Sequence, residues 1–384
     1  MPSPSLGSLA WRNWRLCLES SSQPLITEHG LFTDALFPPL AETTIELGPF
    51  VVVGSWLGPG RGTGAARAYL RIKHYLNAED YDATEASSES FHGGRIHDEF
   101  AALLSLEFGV RLQAGPSQRE YAPELDALGR PTSFEPLGQR LPVLQVGHFG
   151  DMLPGTRRMV AFGELSLLPR LAELSADDSV AVARSARLYQ DAVWYADAQP
   201  WLSWLLLVSA VEVVSSRWAA LRFGDDVANF RDARPDIVKA LEDAGHGSAI
   251  QTVAKQLAAV SGATRRFREF LMEFLPDAPD PRSIEPTQTS WTRDDLRVAF
   301  TKIYSHRFKA LHGGRPFPGI LCLPPQVLNN VPNERPLATA VATQHASWTI
   351  DDLPFNLHIF SYIVRRAVLS WWRSVLPSNP ASSA

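Results

Sequence analysis

A chain of 384 residues, 45% hydrophobic and 20% charged, is long enough for two or three domains and carries an ordinary load of core residues, which excludes a disordered or fibrous polypeptide. Its net charge of −5 excludes a global field that would draw nucleic acid or an anionic membrane, so any contact with a polyanion must come from a local basic patch. Two cysteines, Cys17 and Cys322, lie far apart in apolar surroundings and make neither a disulfide framework nor a zinc pattern, which fits a reducing cytoplasm, while 29 prolines point to strands and loops beside helices.

The opening "MPSPSLGSLAWRNWRLCLE" lacks the continuous apolar run of a secretory signal, a further reason to expect a cytoplasmic protein. "TIELGPFVVVG" (44–54) is β-branched and apolar between glycines and predicts a strand. The run "GPGRGTG" (58–64) then raises the question of a phosphate loop. It has no Gly-Lys-Ser/Thr and no dinucleotide spacing, so it reads as a connection from that strand to a helix at "AARAYLRIKHYL", with a small-molecule enzyme built on the loop as a minor reading. "FHGGRIHDE" offers His92, His97, Asp98 and Glu99, which match no zinc spacing and serve equally well as a polar helix start. "RIHDEFAALLSLEFGVRL" (95–112) is helical and runs into a strand-like end, and 113–158 reads as a long loop region or irregular β structure.

Near residue 165 the chain becomes a succession of helices. The most hydrophobic stretch, "WLSWLLLVSAVEVV" (201–214), is too short to span a bilayer and contains Glu212, so it predicts the buried central helix of a bundle. Pro200 stands where a first helical turn tolerates proline. "DIVKALEDAG", "AIQTVAKQLAAVSG" and "ATRRFREFLMEFL" continue the series. "SWTRDDL" (290–296) and "SWTIDDL" (347–353) predict two helix starts, each with a Ser/Thr cap and two Asp residues facing the positive end of the dipole. These readings give an α+β protein: residues 1–165 as a mixed domain with strands, suited to sensing or regulation, and residues 166–384 as an all-α helical domain.

The chemistry concentrates in "KIYSHRFKALHGG" (302–314), where Lys302, His306, Arg307, Lys309 and His312 occur without a carboxylate between them. The helix is predicted to start near Thr292, present Leu296, Phe300, Ile303 and Leu311 as an apolar stripe, and end at the Gly313-Gly314 pair. His312 then sits in the last turn, where the negative dipole end favours imidazolium. Arg307 lies five residues earlier, roughly 140° around the helix, so the two heads meet on one anion only through arginine's length or through a second copy of the helix. The competing reading of the local pattern is a solvated basic helix end.

"YSHRFKALHGG" resembles the R-x(4)-H motif of the HEPN superfamily, and its Tyr-x-x-Arg…His-Gly form is similar to the Apea-like branch; "WLSWLLLVSAVEVV" resembles that family's first core helix with its embedded acid. The resemblance covers roughly residues 180 to 375. It implies a HEPN-like bundle, a homodimer through the helical domain, and Arg307 with His312 as the catalytic pair of a metal-independent endoribonuclease, a toxin or anti-phage defence effector. No cofactor and no metal is implied, because the 2′-hydroxyl of RNA is the nucleophile and 2′,3′-cyclic phosphate with 5′-hydroxyl are the expected products. Tyr304, His306, Lys309 and Glu212 are supporting candidates, Glu212 as a structural or orienting group. Lys302, Arg315, Arg265, Arg266 and Arg268 form the candidate RNA-binding patch, with pairing of those arginines to Asp294 and Asp295 as the structural alternative. Phe308 stands where the family usually has a small polar residue, which favours a second reading: a silent HEPN scaffold that binds RNA or a protein partner.

Overall fold

The computed structural model describes residues 6–37, 44–54, 66–77, 94–126, 141–145, 150–222, 227, 230–231, 235–257, 262–337, 340–343 and 346–378. The architecture is α+β, with an antiparallel sheet beside a helical assembly. Helix α1 (Leu9–Glu19) precedes strands β1 (Leu25–Thr33), β2 (Thr44–Leu47), β3 (Phe50–Gly54) and β4 (Ala68–His74), then α2 (Ile96–Phe108) and β5 (Leu112–Tyr121). The five strands pair in the order β2-β3-β4-β1-β5. Alternation sends Leu31, Leu70, Ile72 and Val52 into the core.

The sequence stretch expected to be one strand at 44–54 is a hairpin. Gly48 turns the chain with φ +58°, and a Cβ there would lie 2.3 Å from the Trp14 ring, so glycine serves both the turn and the close approach. "AARAYLRIKHYL" forms β4 rather than a helix, because Ala68, Leu70 and Ile72 bury at period two between β1 and β3. The predicted loop region opens with strand β5, whose pairing to β1 supplies the order that its polar sequence hides. The glycine run 58–64 and His92 lie outside the described residues.

Helices α3 (Ala176–Tyr195), α4 (Pro200–Arg222), α5 (Pro235–Asp243), α6 (Ile250–Leu257), α7 (Ala263–Glu273), α8 (Arg293–Gly313) and α9 (Leu357–Val375) follow, with strand pairs β6 (Val327–Leu328) with β7 (Val331–Pro332) and β8 (Ala340–Thr343) with β9 (Ala346–Thr349). Helix α4 runs past the predicted stretch and, by length and composition, would be long enough to cross a membrane; it packs against α3, α7, α8 and α9 instead, with Trp204 buried. The Trp204 ring stacks on Phe360 and Phe317 at centroid distances of 5.1 and 5.6 Å. The second "SWTIDDL" does not open a helix: Ser347–Thr349 belong to β9, Thr349 and Asp352 close a 3₁₀ turn, and Pro354 precedes the start of α9 at Leu357. The expected boundary at residue 165 falls inside one continuous core that joins the sheet and α2 to the helices after 176. Three polar clamps cross it: Arg111, wholly buried, bonds Asp34 and Asp197; Glu107 accepts from the amides of Leu167 and Leu168; and Arg365 of α9 donates to the Leu106 carbonyl.

Candidate functional site

Helix α8 starts where the sequence predicts. Thr292 accepts from the Asp295 amide, Asp294 and Asp295 occupy the first turn, and the helix ends at Gly314 in the left-handed region with φ 60°. Leu296, Phe300 and Ile303 are buried against the core, but Leu311 is 52% exposed, so the apolar stripe turns outward in the last third of the helix. Val298, Phe308 and Leu311 are all more than half exposed. Phe308 and Leu311, three residues apart, are neighbours near the end of α8, whereas Val298, ten residues before Phe308, lies on another part of the helix circumference.

Tyr304, Arg307 and Glu212 come together between α8 and α4. The Tyr304 hydroxyl donates to Glu212 Oε1 at 2.7 Å, and Arg307 Nη2 donates to Glu212 Oε2 at 2.8 Å, so one carboxylate receives both. The guanidinium also lies over the Tyr304 ring, 5.6 Å from its centroid. Burial and the hydrogen bond to Glu212 push the Tyr304 phenol up to about 12, so it remains a donor throughout the physiological range. Arg266 of α7 lies close enough to oppose that shift. Arg307 keeps 19% of its side chain exposed, and its Nε has no acceptor among the described residues. Glu212 therefore orients the arginine without exhausting its donors.

His312 does not join this cluster within one chain. It is exposed in the last turn, with its ring 4.6 Å from that of Phe308. Lys302 and His306 turn the other way: the Lys302 ammonium donates to the Asp351 carbonyl, and His306 Nε2 lies 3.4 Å from the Asp352 carbonyl with Phe317 beside its ring. Burial, with Lys309 and Lys302 nearby, pulls the His306 imidazole below its ordinary value despite the Asp352 carbonyl, which suits a packing role. Lys309 and Arg315 are exposed around the helix end.

On α7, Arg265 is exposed, while Arg268 Nε bonds Glu269 at 3.1 Å. The alternative partners of these arginines are otherwise engaged. Asp295 accepts from Ser290 and Thr292, and Asp294 faces Arg297 at 3.5 Å. The basic cluster is thus divided: Arg266 beside the Tyr304–Arg307–Glu212 group, Lys302 and His306 against the 350–352 turn, and Lys309, His312 and Arg315 at the helix terminus.

The acidic and imidazole residues singled out near 97 take other tasks. Glu99 accepts from the amides of Leu9 and Ala10 at 3.0 and 2.9 Å and so caps α1 from another helix. Asp98 accepts from the Arg95 amide and caps its own helix. His97 stacks on His29 at 4.0 Å, and His29 shares the Thr27 hydroxyl with His74. That imidazole group escaped sequence reading because its members come from β1, β4 and α2; the one available signal was the Thr-x-His pair at 27 and 29, which alternation places on one face.

No family model, curated protein or solved structure matches this chain.

Proposed function

We propose that the helical part of the chain is a HEPN-type, metal-independent endoribonuclease module that acts as a homodimer in the cytoplasm, with Arg307 clamping the scissile phosphate and His312 transferring the proton. The observation that carries this reading is the tethering of Arg307: a carboxylate from the most hydrophobic helix fixes one edge of the guanidinium, while 19% of the side chain stays exposed. A phosphate oxygen is the natural partner for the guanidinium donors on that exposed part. His312 points elsewhere on α8, so the pair is completed across a twofold axis. The exposed neighbours Phe308 and Leu311 supply the apolar contact for an isologous interface. In such a site the imidazole takes the 2′-hydroxyl proton or returns one to the 5′-oxygen, and the arginine offsets the charge of the phosphorane.

Purified protein incubated with end-labelled RNA in EDTA tests this. Cleavage is expected to leave 2′,3′-cyclic phosphate ends and to fall by about 10²–10⁴-fold in His312→Ala. Arg307→Ala should weaken both binding and turnover. Cleavage unchanged in both variants would remove the assignment. A specific feature favours the second reading, a silent dimerising scaffold for RNA or a protein: Phe308 lies against the His312 ring and Glu212 neutralises Arg307. For the scaffold, RNA or partner binding would persist in His312→Ala with no cleavage by either protein.

A further inference from the structure

The sheet carries a second chemically organised place, independent of α8. A groove of about 690 Å³ runs between the end of α1 and the adjoining ends of β1 and β4, within the size range of small-molecule sites. Its wall includes Glu19, Gln23, Leu25, His74, Tyr75 and Asn77. Among the described residues no lysine or arginine lines it, and the one lining carboxylate, Glu19, has Arg15 3.6 Å away.

His74 is aimed by a chain of hydrogen bonds whose polarity can be worked out. His29 Nδ1 lies 3.1 Å from the Gly115 carbonyl, which can only accept, so that nitrogen carries a proton. In neutral His29 the other nitrogen, Nε2, must then accept, and its neighbour at 3.1 Å is the Thr27 hydroxyl. The single hydroxyl proton is thereby used, so His74 Nε2, 2.7 Å from the same oxygen, must donate to it. That leaves His74 Nδ1 as a bare acceptor with no donor among the described residues. Burial and the nearby His97 hold His29 down to about 3 and lower His74 as well, so both rings stay neutral and the relay keeps its sense. Both nitrogens of His29 are consumed, so the trio is not arranged to ligate a metal.

We propose that this groove is a second ligand site, in which His74 Nδ1 accepts a hydrogen bond from a small uncharged ligand bearing vicinal hydroxyls, with Thr27 and His29 as positioning residues. The chemistry favours hydroxyls. The wall mixes groups that accept (His74, Glu19) with the Gln23 amide, which both donates and accepts, and a hydroxyl answers both kinds. Among the described residues anions meet no cation there, and the lining carboxylate Glu19 already faces Arg15.

The test uses the full-length protein labelled with ¹⁵N-histidine. Its imidazole resonances report the tautomer of each ring and are followed during titration with D-ribose, with adenosine (the same diol carried on a nucleoside) and with choline. The free protein should show His74 protonated on Nε2 and His29 on Nδ1. Ribose or adenosine should move the His74 Nδ1 resonance saturably below about 10 mM, the weak range expected for a few hydrogen bonds. Which of the two binds more tightly separates a free sugar from a nucleoside. Thr27→Val, nearly isosteric, should randomise the His74 tautomer and weaken binding about tenfold, the worth of one hydrogen bond, whereas Thr27→Ser should restore both. His74 protonated on Nδ1, no response to either diol, or tighter binding of choline would each overturn the proposal, and all three are read on the unmutated protein.

Discussion

Glu28 occupies the middle of β1 with Arg71 directly opposite on β4 and Arg119 opposite on β5, at 2.7 and 2.6 Å. Burial alone would raise its carboxyl, but hydrogen bonds and charge from Arg119 and Arg71 outweigh it and hold the group below its ordinary 4.5. A carboxylate depressed in the fold adds stability that is present above 4.5 and is lost as pH falls through the lower folded value. Glu28→Gln should therefore cost about 1–3 kcal/mol at pH 7 and flatten the acid limb below pH 4.5, measured by urea unfolding at several pH values. At the α8 cluster, Tyr304→Phe removes one of the two donors to Glu212 and should lower stability by about 0.5–1.5 kcal/mol. RNA cleavage in that variant should fall less than in Arg307→Ala, because the arginine keeps its own bond to Glu212.

Two helix ends in this chain, the start of α1 and the end of α2, are held by residues from other elements. Gly109 ends α2 with φ +71°, and a Cβ there would lie 2.5 Å from the Arg365 Nε that caps the helix carbonyls. Gly109→Ala therefore meets left-handed strain and displaces a buried guanidinium; a loss of about 2–4 kcal/mol is expected in thermal or urea unfolding. Arg365→Lys should recover little of the loss seen in Arg365→Ala, since the arginine reaches two carbonyls, of Leu106 and Glu107, as a fork. A Lys variant as stable as the parent would show that charge near the helix end, and not the paired hydrogen bonds, provides the cap.

Across the whole molecule, His29, His74, His97, His306 and His358 are all held below the ordinary imidazole value, each chiefly by burial. The sign follows from linkage. Below pH 6.5 the unfolded chain binds protons that the folded chain refuses, so stability is full above that pH and declines as pH falls. His29 continues to contribute down to about 3 and His358 to about 4. Each such group can steepen the decline by up to about 1.4 kcal/mol per pH unit between its two values. Unfolding free energies at pH 7.5, 6 and 5 should therefore fall progressively, and His358→Phe should make the fall shallower. Equal stability at pH 7.5 and 5 would contradict the burial of these rings.

The sequence by itself determined what repeats locally. Helical spacing placed α3, α4, α7 and α8; Thr292 and Gly314 marked both ends of α8; and the embedded Glu212 signalled that a partner would be needed in an apolar helix. Only the tertiary structure decided what depends on pairing between distant segments. Strand β4 looked helical because its charged residues Arg71 and Lys73 hide an alternation that becomes meaningful only between β1 and β3. "SWTRDDL" and "SWTIDDL" share a cap, yet only the first is followed by uninterrupted helix formers; the second meets Pro354 and ends in a single turn. The partner of Glu212 is 92 residues away at Tyr304, and Thr27 meets His74 across 47. Local pattern reports propensity and capping within one turn or one strand, while which side chains share a hydrogen bond is set by how buried faces pack, and that information exists only in three dimensions.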